Sequence, residues 1–185
     1  MKTPTSADAL RAARALLGVS IRDLEPRVGL MRKAIAASES GNSTILEHNL
    51  KLIEFYEAEG IEFLGDLSFG KKVGRPGARW RAPDDRSLSS LAASGLNYHT
   101  ERFRNSFAAA RALLGDKQSV IAKATRLPAT TVSSLELGQL WQNPSETLLQ
   151  YYIERGVEFL GWQDAVRPNV YFGVGVRWAA DKAQD

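Results

Sequence analysis

Apolar residues recur at helical spacing from the start of the chain. Leu10, Ala13 and Leu17 fall three and four positions apart, which places them on one face of a helix, and Gly18 follows as a C-terminal cap. A second, shorter segment carries Leu24 and Val28, breaks at Gly29-Leu30, and leads into a third that turns Ile35 inward and stops at Gly41. Beyond the polar loop Asn42-Ser43-Thr44, a longer segment with Leu52, Ile53 and Tyr56 runs to Gly60. This spacing predicts four helices. At Ile61-Glu62-Phe63 the period changes to the alternation of a strand, and Gly77-Ala78-Arg79-Trp80 offers it a partner, so a small hairpin is expected to close the unit.

The whole pattern then returns. RAARALLG at 11–18 becomes AAARALLG at 108–115, differing only where Arg11 gives way to Ala108. GIEFLG at 60–65 returns as GVEFLG at 156–161, and GARW at 77–80 as GVRW at 175–178. The second set of apolar positions is Phe107, Ala110 and Leu114, then Ile121 with Thr125, then a break at Arg126-Leu127. Val132, a stop at Gly138, a helix through Leu148, Leu149 and Tyr152, and the strand Val157-Glu158-Phe159 complete it. Two copies of about 80 residues, each with its own apolar pattern, predict two small domains at 1–82 and 103–185 rather than a solenoid. Each is expected to fold alone. Residues 83–102, rich in Ser, Ala and Asp and without a copy elsewhere, are the expected linker. A duplication of this kind resembles a homodimer made covalent.

Composition narrows the class. The 185 residues are 44% hydrophobic and 24% charged, as in an ordinary globular protein. No apolar run approaches the roughly 18 residues of a membrane span, and the N-terminus lacks the apolar core and cleavage site of a signal peptide. The absence of cysteine excludes disulfides, thiolate metal sites and thiol catalysis. His48 and His99 lie in unrelated positions without a metal-binding or catalytic partner, so neither cofactor nor enzymatic activity is expected. The formal charge of +3 gathers in one tail, where Lys71, Lys72, Arg75, Arg79 and Arg81 face only Asp66. Such a segment suits a polyanion or, equally, a solvated loop.

Two short helices joined by a tight turn inside a helical bundle form a helix-turn-helix. Over roughly 10–65 and 107–161 the residues resemble the Cro/repressor-type (XRE) family. The second copy supplies Lys117-Gln118-Ser119-Val120-Ile121-Ala122, then Arg126-Leu127, Val132, Leu135, Glu136 and Gly138. The first supplies Ser20, Leu24, Gly29-Leu30, Ile35, Glu39 and Gly41. The resemblance implies a mainly α fold with short β-hairpins: two tandem lambda-repressor-like helix-turn-helix domains, each ending in a small strand pair. Copy one departs from the pattern. Ile21 stands at the family's Gln position, Glu25 at its small residue, Ser38 at an apolar site, and Pro26 falls inside the second helix, at a cost of about 3 kcal/mol. Copy two departs only at Arg126, where the turn wants glycine, a cost of about 1 kcal/mol. Copy two is thus expected to be the intact reader and copy one the altered one.

The function implied by the resemblance is a bacterial, cytoplasmic, nucleoid-associated transcription regulator that reads operator half-sites in double-stranded DNA. In this architecture the first turn of the third helix meets base edges in the major groove. That turn is Met31-Arg32-Lys33-Ala34 in copy one and Pro128-Ala129-Thr130-Thr131 in copy two, with Ser134 one turn further on. Arg32 suits guanine; Thr130 and Thr131 suit a base edge or a thymine methyl. An exposed helix end explains the basic pair as well, and helix-start preference the threonines. Gln118 suits adenine or a phosphate, with Lys117 beside it and Arg22 opening the corresponding helix of copy one. Asn42, Ser43 and Gln139 lie where phosphates are met, and Gly74-Arg75-Pro76, flanked by Lys71 and Lys72, is weakly similar to a minor-groove AT-hook. Trp80, Trp178, Phe63 and Phe159 recur in register and are expected in the core; Trp141 and Trp162 lack counterparts, and one is a candidate for a domain contact. Besides DNA, the expected partners are a second copy of the chain and RNA polymerase or another regulator, with no membrane. The alternative is a protein-binding regulator of antiactivator or antitoxin type with reduced or no DNA readout. A nucleoid-type binder without sequence preference is the third reading.

Overall fold

The computed structural model describes residues 4–43, 45–66, 74–83 and 98–180. The first repeat folds as α1 (Ala7–Leu17), α2 (Ile21–Val28), α3 (Arg32–Glu39), α4 (Leu46–Ala58), β1 (Ile61–Asp66) and β2 (Gly74–Trp80). The second folds as α5 (Phe107–Leu114), α6 (Gln118–Thr125), α7 (Ala129–Glu136), α8 (Gln142–Glu154), β3 (Val157–Gln163) and β4 (Tyr171–Trp178). Eight helices and a four-stranded antiparallel sheet therefore make up the described residues, in the order the apolar spacing predicts.

Local chemistry sets the boundaries. The Ser6 hydroxyl accepts the Ala9 N–H to start α1, and Gly18 ends it in the left-handed conformation. Ser20 and Asp23 form a reciprocal capping box at α2, whose end is the left-handed Gly29. Pro26 does not shorten α2, which has eight residues like its counterpart α6. Proline there removes only the bond toward the carbonyl of Arg22, and both residues are exposed, so water can take the orphaned acceptor. At the matching turn of the second repeat Arg126 takes φ 58°, the left-handed geometry its position requires. Ser38, the polar residue at an apolar site, is buried and returns its hydroxyl to the Ala34 carbonyl at 3.0 Å.

Each hairpin lies against its helices. Ile61 pairs with Trp80 in one, Val157 with Trp178 in the other, and all four side chains are buried. Tyr56 and Tyr152 sit at the centres of the two repeats, each edge-on to a phenylalanine, Phe63 and Phe159 respectively. The register slips between Leu64 and Asp66 and again between Leu160 and Trp162, a bulge repeated in both outer strands.

The two hairpins join. The strand order is β1-β2-β4-β3, with β2 antiparallel to β4 through Gly77–Arg177, Ala78–Val176 and Arg79–Gly175. Exchanging the repeats maps this set of pairs onto itself, as in an isologous dimer interface. The repeated glycines explain the crossing. A Cβ on Gly77 would stand 2.2 Å from the Val176 carbonyl oxygen, and one on Gly175 2.3 Å from that of Ala78. α1 packs on α5 beneath the seam, and buried residues of both repeats form one continuous apolar cluster. The end of the expected linker docks here too: His99 stacks on Trp80 at 3.5 Å, and Glu101 exchanges two backbone hydrogen bonds with Tyr171. Gly173 lies between Trp162 of its own repeat and Ala82 of the first, so it is the glycine that meets the other repeat here.

Gly175→Val is expected to force β4 away from β2 and to cost about 1–3 kcal/mol, as overpacking does, measured by chemical denaturation. Residues 98–180 expressed alone should dimerise in sedimentation equilibrium by pairing β4 with β4, and the same substitution should leave that fragment monomeric.

Candidate functional site

α3 and α7 are the helices whose opening turns face outward. Ile35, Ser38 and Glu39 anchor the inner face of α3, and Val132 and Leu135 that of α7. The first turns are left outside: Met31 is 73% exposed, Arg32, Lys33, Pro128, Ala129 and Thr130 are exposed, and Thr131 is half-buried. Neither helix has a side-chain N-terminal cap; in α3 the Ala34 N–H turns back to the Met31 carbonyl at 2.9 Å, and no side chain caps the N–H groups that open either helix. Such a terminus carries partial positive charge and is ready for an anion.

One ion pair fixes each of these helices to the helix opening its repeat. Arg14 of α1 grips Glu39 with two bonds of 2.7 and 3.0 Å; Arg111 of α5 grips Glu136 with bonds of 2.6 and 3.0 Å. Both carboxylates are almost entirely buried, and each sits in the last turn of its helix. The bond to Glu136 holds the Arg111 guanidinium above its ordinary pKa despite the opposing cost of burial. In the second repeat Gln118 joins the pair, donating to Glu136 Oε2 at 2.8 Å. Ile21, at the same place in the first repeat, packs against the apolar core instead.

The expected contact residues divide accordingly. Arg22, Arg32, Lys33, Lys117, Ala129 and Thr130 lie on the surface of the short helices or at their caps. Arg32 leans back to Glu25 of α2 at 2.9 Å while remaining 62% exposed. Gln118 is committed in part to Glu136, so it orients the framework before it can meet anything outside. Asn42 donates to the Ser40 hydroxyl at 3.1 Å, and the Ser43 hydroxyl accepts the Ile45 N–H at 3.3 Å. Gln139 is exposed and its backbone N–H is bonded to the carbonyl of Ser134, itself half-buried in α7. Arg75 belongs to another place: the second residue of β2, it takes φ 47° and pairs with Glu158 of the other repeat at 2.9 Å. Arg177 holds the same carboxylate at 2.8 Å, and together the two arginines keep Glu158 below the usual carboxylate pKa. Lys71 and Lys72 lie outside the described residues.

The loop after α7 carries a cluster of exposed apolar side chains. Leu137, Leu140 and Trp141 are 82%, 63% and 44% exposed in the loop between α7 and α8. The equivalent positions of the first repeat are Ser40, Ser43 and Thr44. The signal was present in the repeat itself, as three polar residues replaced by large apolar ones at the same offset. Among the described residues no cluster of His, Asp or Glu could hold a metal ion, and no helix is long and apolar enough to cross a membrane. In comparisons with protein-family models, curated proteins and solved structures, nothing matches the chain.

Glu136→Ala would strand the Arg111 cation. The expected loss is about 3 kcal/mol, the low end for a broken buried pair because Arg111 keeps partial contact with water. Gln118→Ala, which removes one bond to a charged acceptor, should cost about half as much in the same urea titration.

Proposed function

We propose that the chain is a sequence-specific DNA-binding transcription regulator in which α2–α3 and α6–α7 act as two helix-turn-helix units of Cro/repressor type. The observation that carries this reading is the duplicated pair of eight-residue helices joined through a left-handed residue, Gly29 or Arg126, with the opening turn of the second helix outward. A helix presented this way fits the major groove, and its uncapped N–H groups fit the flanking phosphates. The chemistry of the two turns differs. Arg32 and Lys33, with Arg22 nearby in sequence, offer the first repeat cationic contacts; Thr130 and Thr131 offer the second hydroxyls and methyls. Two unlike readers fused in one chain suit an asymmetric operator, with any palindrome arising from two whole chains.

The alternative, a protein-binding regulator, is favoured by one observation. Leu137, Leu140 and Trp141 occupy the loop in which phosphate contacts are expected, and they bring no donor but an indole N–H to it. Exposed apolar side chains clustered in one loop suit a protein surface better than a phosphate backbone.

Selection from random duplexes followed by anisotropy titration at several salt concentrations separates the two. For a DNA reader, Arg32→Gln with Lys33→Gln should weaken binding to all duplexes and reduce the salt slope by up to about two units. Thr130→Ala with Thr131→Ala should cost about 1–3 kcal/mol on the selected duplex and little on a scrambled one. No enrichment and no binding at low salt would remove the DNA reading and leave the protein-binding one.

A further inference from the structure

The repeated block of the opening helix, residues 11–18 and 108–115, differs at one residue, and that residue spans the repeats. Arg11 of α1 extends across the seam to the C-terminal end of α5, donating from Nε to the Ala112 carbonyl at 2.8 Å and from Nη2 to that of Leu113 at 3.1 Å. Nη1 donates to the Glu39 carbonyl at the end of α3, and Asp8 Oδ1 takes a further bond from Nη2 at 2.7 Å. The guanidinium is thus seated between two helix C-termini, whose carbonyls and dipoles favour a cation, and its planar fork meets three carbonyls and one carboxylate oxygen at once.

The repeat predicts an equivalent seat on the other side of the seam. Ala112 and Leu113 correspond to Ala15 and Leu16, Glu39 to Glu136, and Asp8 to Asn105; the arginine itself corresponds to Ala108. Ala15, Leu16, Asn105, Ala108 and Glu136 all line one open cleft of about 460 Å³. Where the first site holds a guanidinium, the second offers the ends of α1 and α7 above the methyl group of Ala108. Among the described residues no side chain is bonded to the carbonyls of Ala15, Leu16 or Glu136. The Glu136 carboxylate faces Arg111 and so does not compete for a guest at its own carbonyl. Arg102 also lines the cleft, exposed to solvent, next to Glu101, whose carboxylate is bonded to His99.

We propose that this cleft is a binding site for an alkylguanidinium group, which would take the place there that Arg11 fills in the other half. A guest would bridge α1 of the first repeat to α7 of the second. The site is independent of whether the chain reads DNA, since none of its contacts uses the opening turns of α3 or α7.

The test is a titration of the full chain, followed by NMR amide shifts, with methylguanidinium, arginine, N-acetyl-arginine methylamide, lysine and methylammonium. Saturable shifts centred on Ala15, Leu16, Ala108 and Gly138 are expected from the guanidinium compounds, with the two ammonium compounds at least tenfold weaker. Equal affinity for arginine and its blocked form assigns the guest to an arginine side chain of a peptide; preference for arginine assigns it to the free solute. Ala108→Arg should supply the group covalently, abolish the titration and raise the melting temperature. Ala108→Leu, which closes the cleft without a cation, should abolish the titration without the gain. Absence of saturable shifts, equal binding of lysine, or undiminished arginine binding in either folded variant would overturn the proposal.

Discussion

Two glycines crossing at Gly77 and Gly175 set the distance between the repeats. With any side chain at either position, a Cβ would lie within about 2.5 Å of backbone on the facing strand, far inside contact distance. Because both are glycine, β2 and β4 approach closely enough to share hydrogen bonds, and two two-stranded hairpins become one four-stranded sheet. An isolated hairpin is marginal in water, whereas four strands with helices packed against them are not. The α1–α5 contact, the Arg75–Glu158 pair and the stacking of His99 on Trp80 join the two halves along the same seam.

Around this fixed centre the repeats keep their internal framework and vary their surface. The buried Arg14–Glu39 and Arg111–Glu136 pairs are the same bond drawn twice, each tying the last turn of one helix to the opening helix of its repeat. A buried pair contributes little net stability against an apolar equivalent, but it tolerates few orientations of the two helices. That restriction suits a helix whose far end must be presented at a set angle. The surface has diverged: the first repeat carries Arg32 and Lys33 on its exposed turn, while the second carries hydroxyls there and a large apolar loop after it.

Much of the fold was legible because it is local. Glycine stops and apolar spacing give the helices their order, and the recurring Trp80 and Trp178 are buried as their register implies; α8 begins at Gln142, inside the polar stretch between Gln139 and Ser145 that reads as a loop. The union of the hairpins was not legible. Gly77 and Gly175 stand in a sequence context where glycine signals a turn, and the β2–β4 pairing joins residues about a hundred positions apart, beyond any local period. Candidate contacts fared similarly. Surface residues such as Lys33 and Thr130 follow directly from the helix face they occupy. Gln118 and Arg75 look free in the sequence and are engaged in the structure, because their acceptors, Glu136 and Glu158, lie on other elements.

Covalent fusion changes what a two-fold interface is allowed to be. In a homodimer every substitution is made twice, so a residue that suits one side of the axis must be accepted on the other. Here each position is specified once. Arg11 can cross the axis in one direction while Ala108 leaves the reciprocal direction vacant, a polarity that no pair of identical chains can encode in its sequence. The symmetric strands hold the halves together, and the linkage between them frees the remaining surface to become directional.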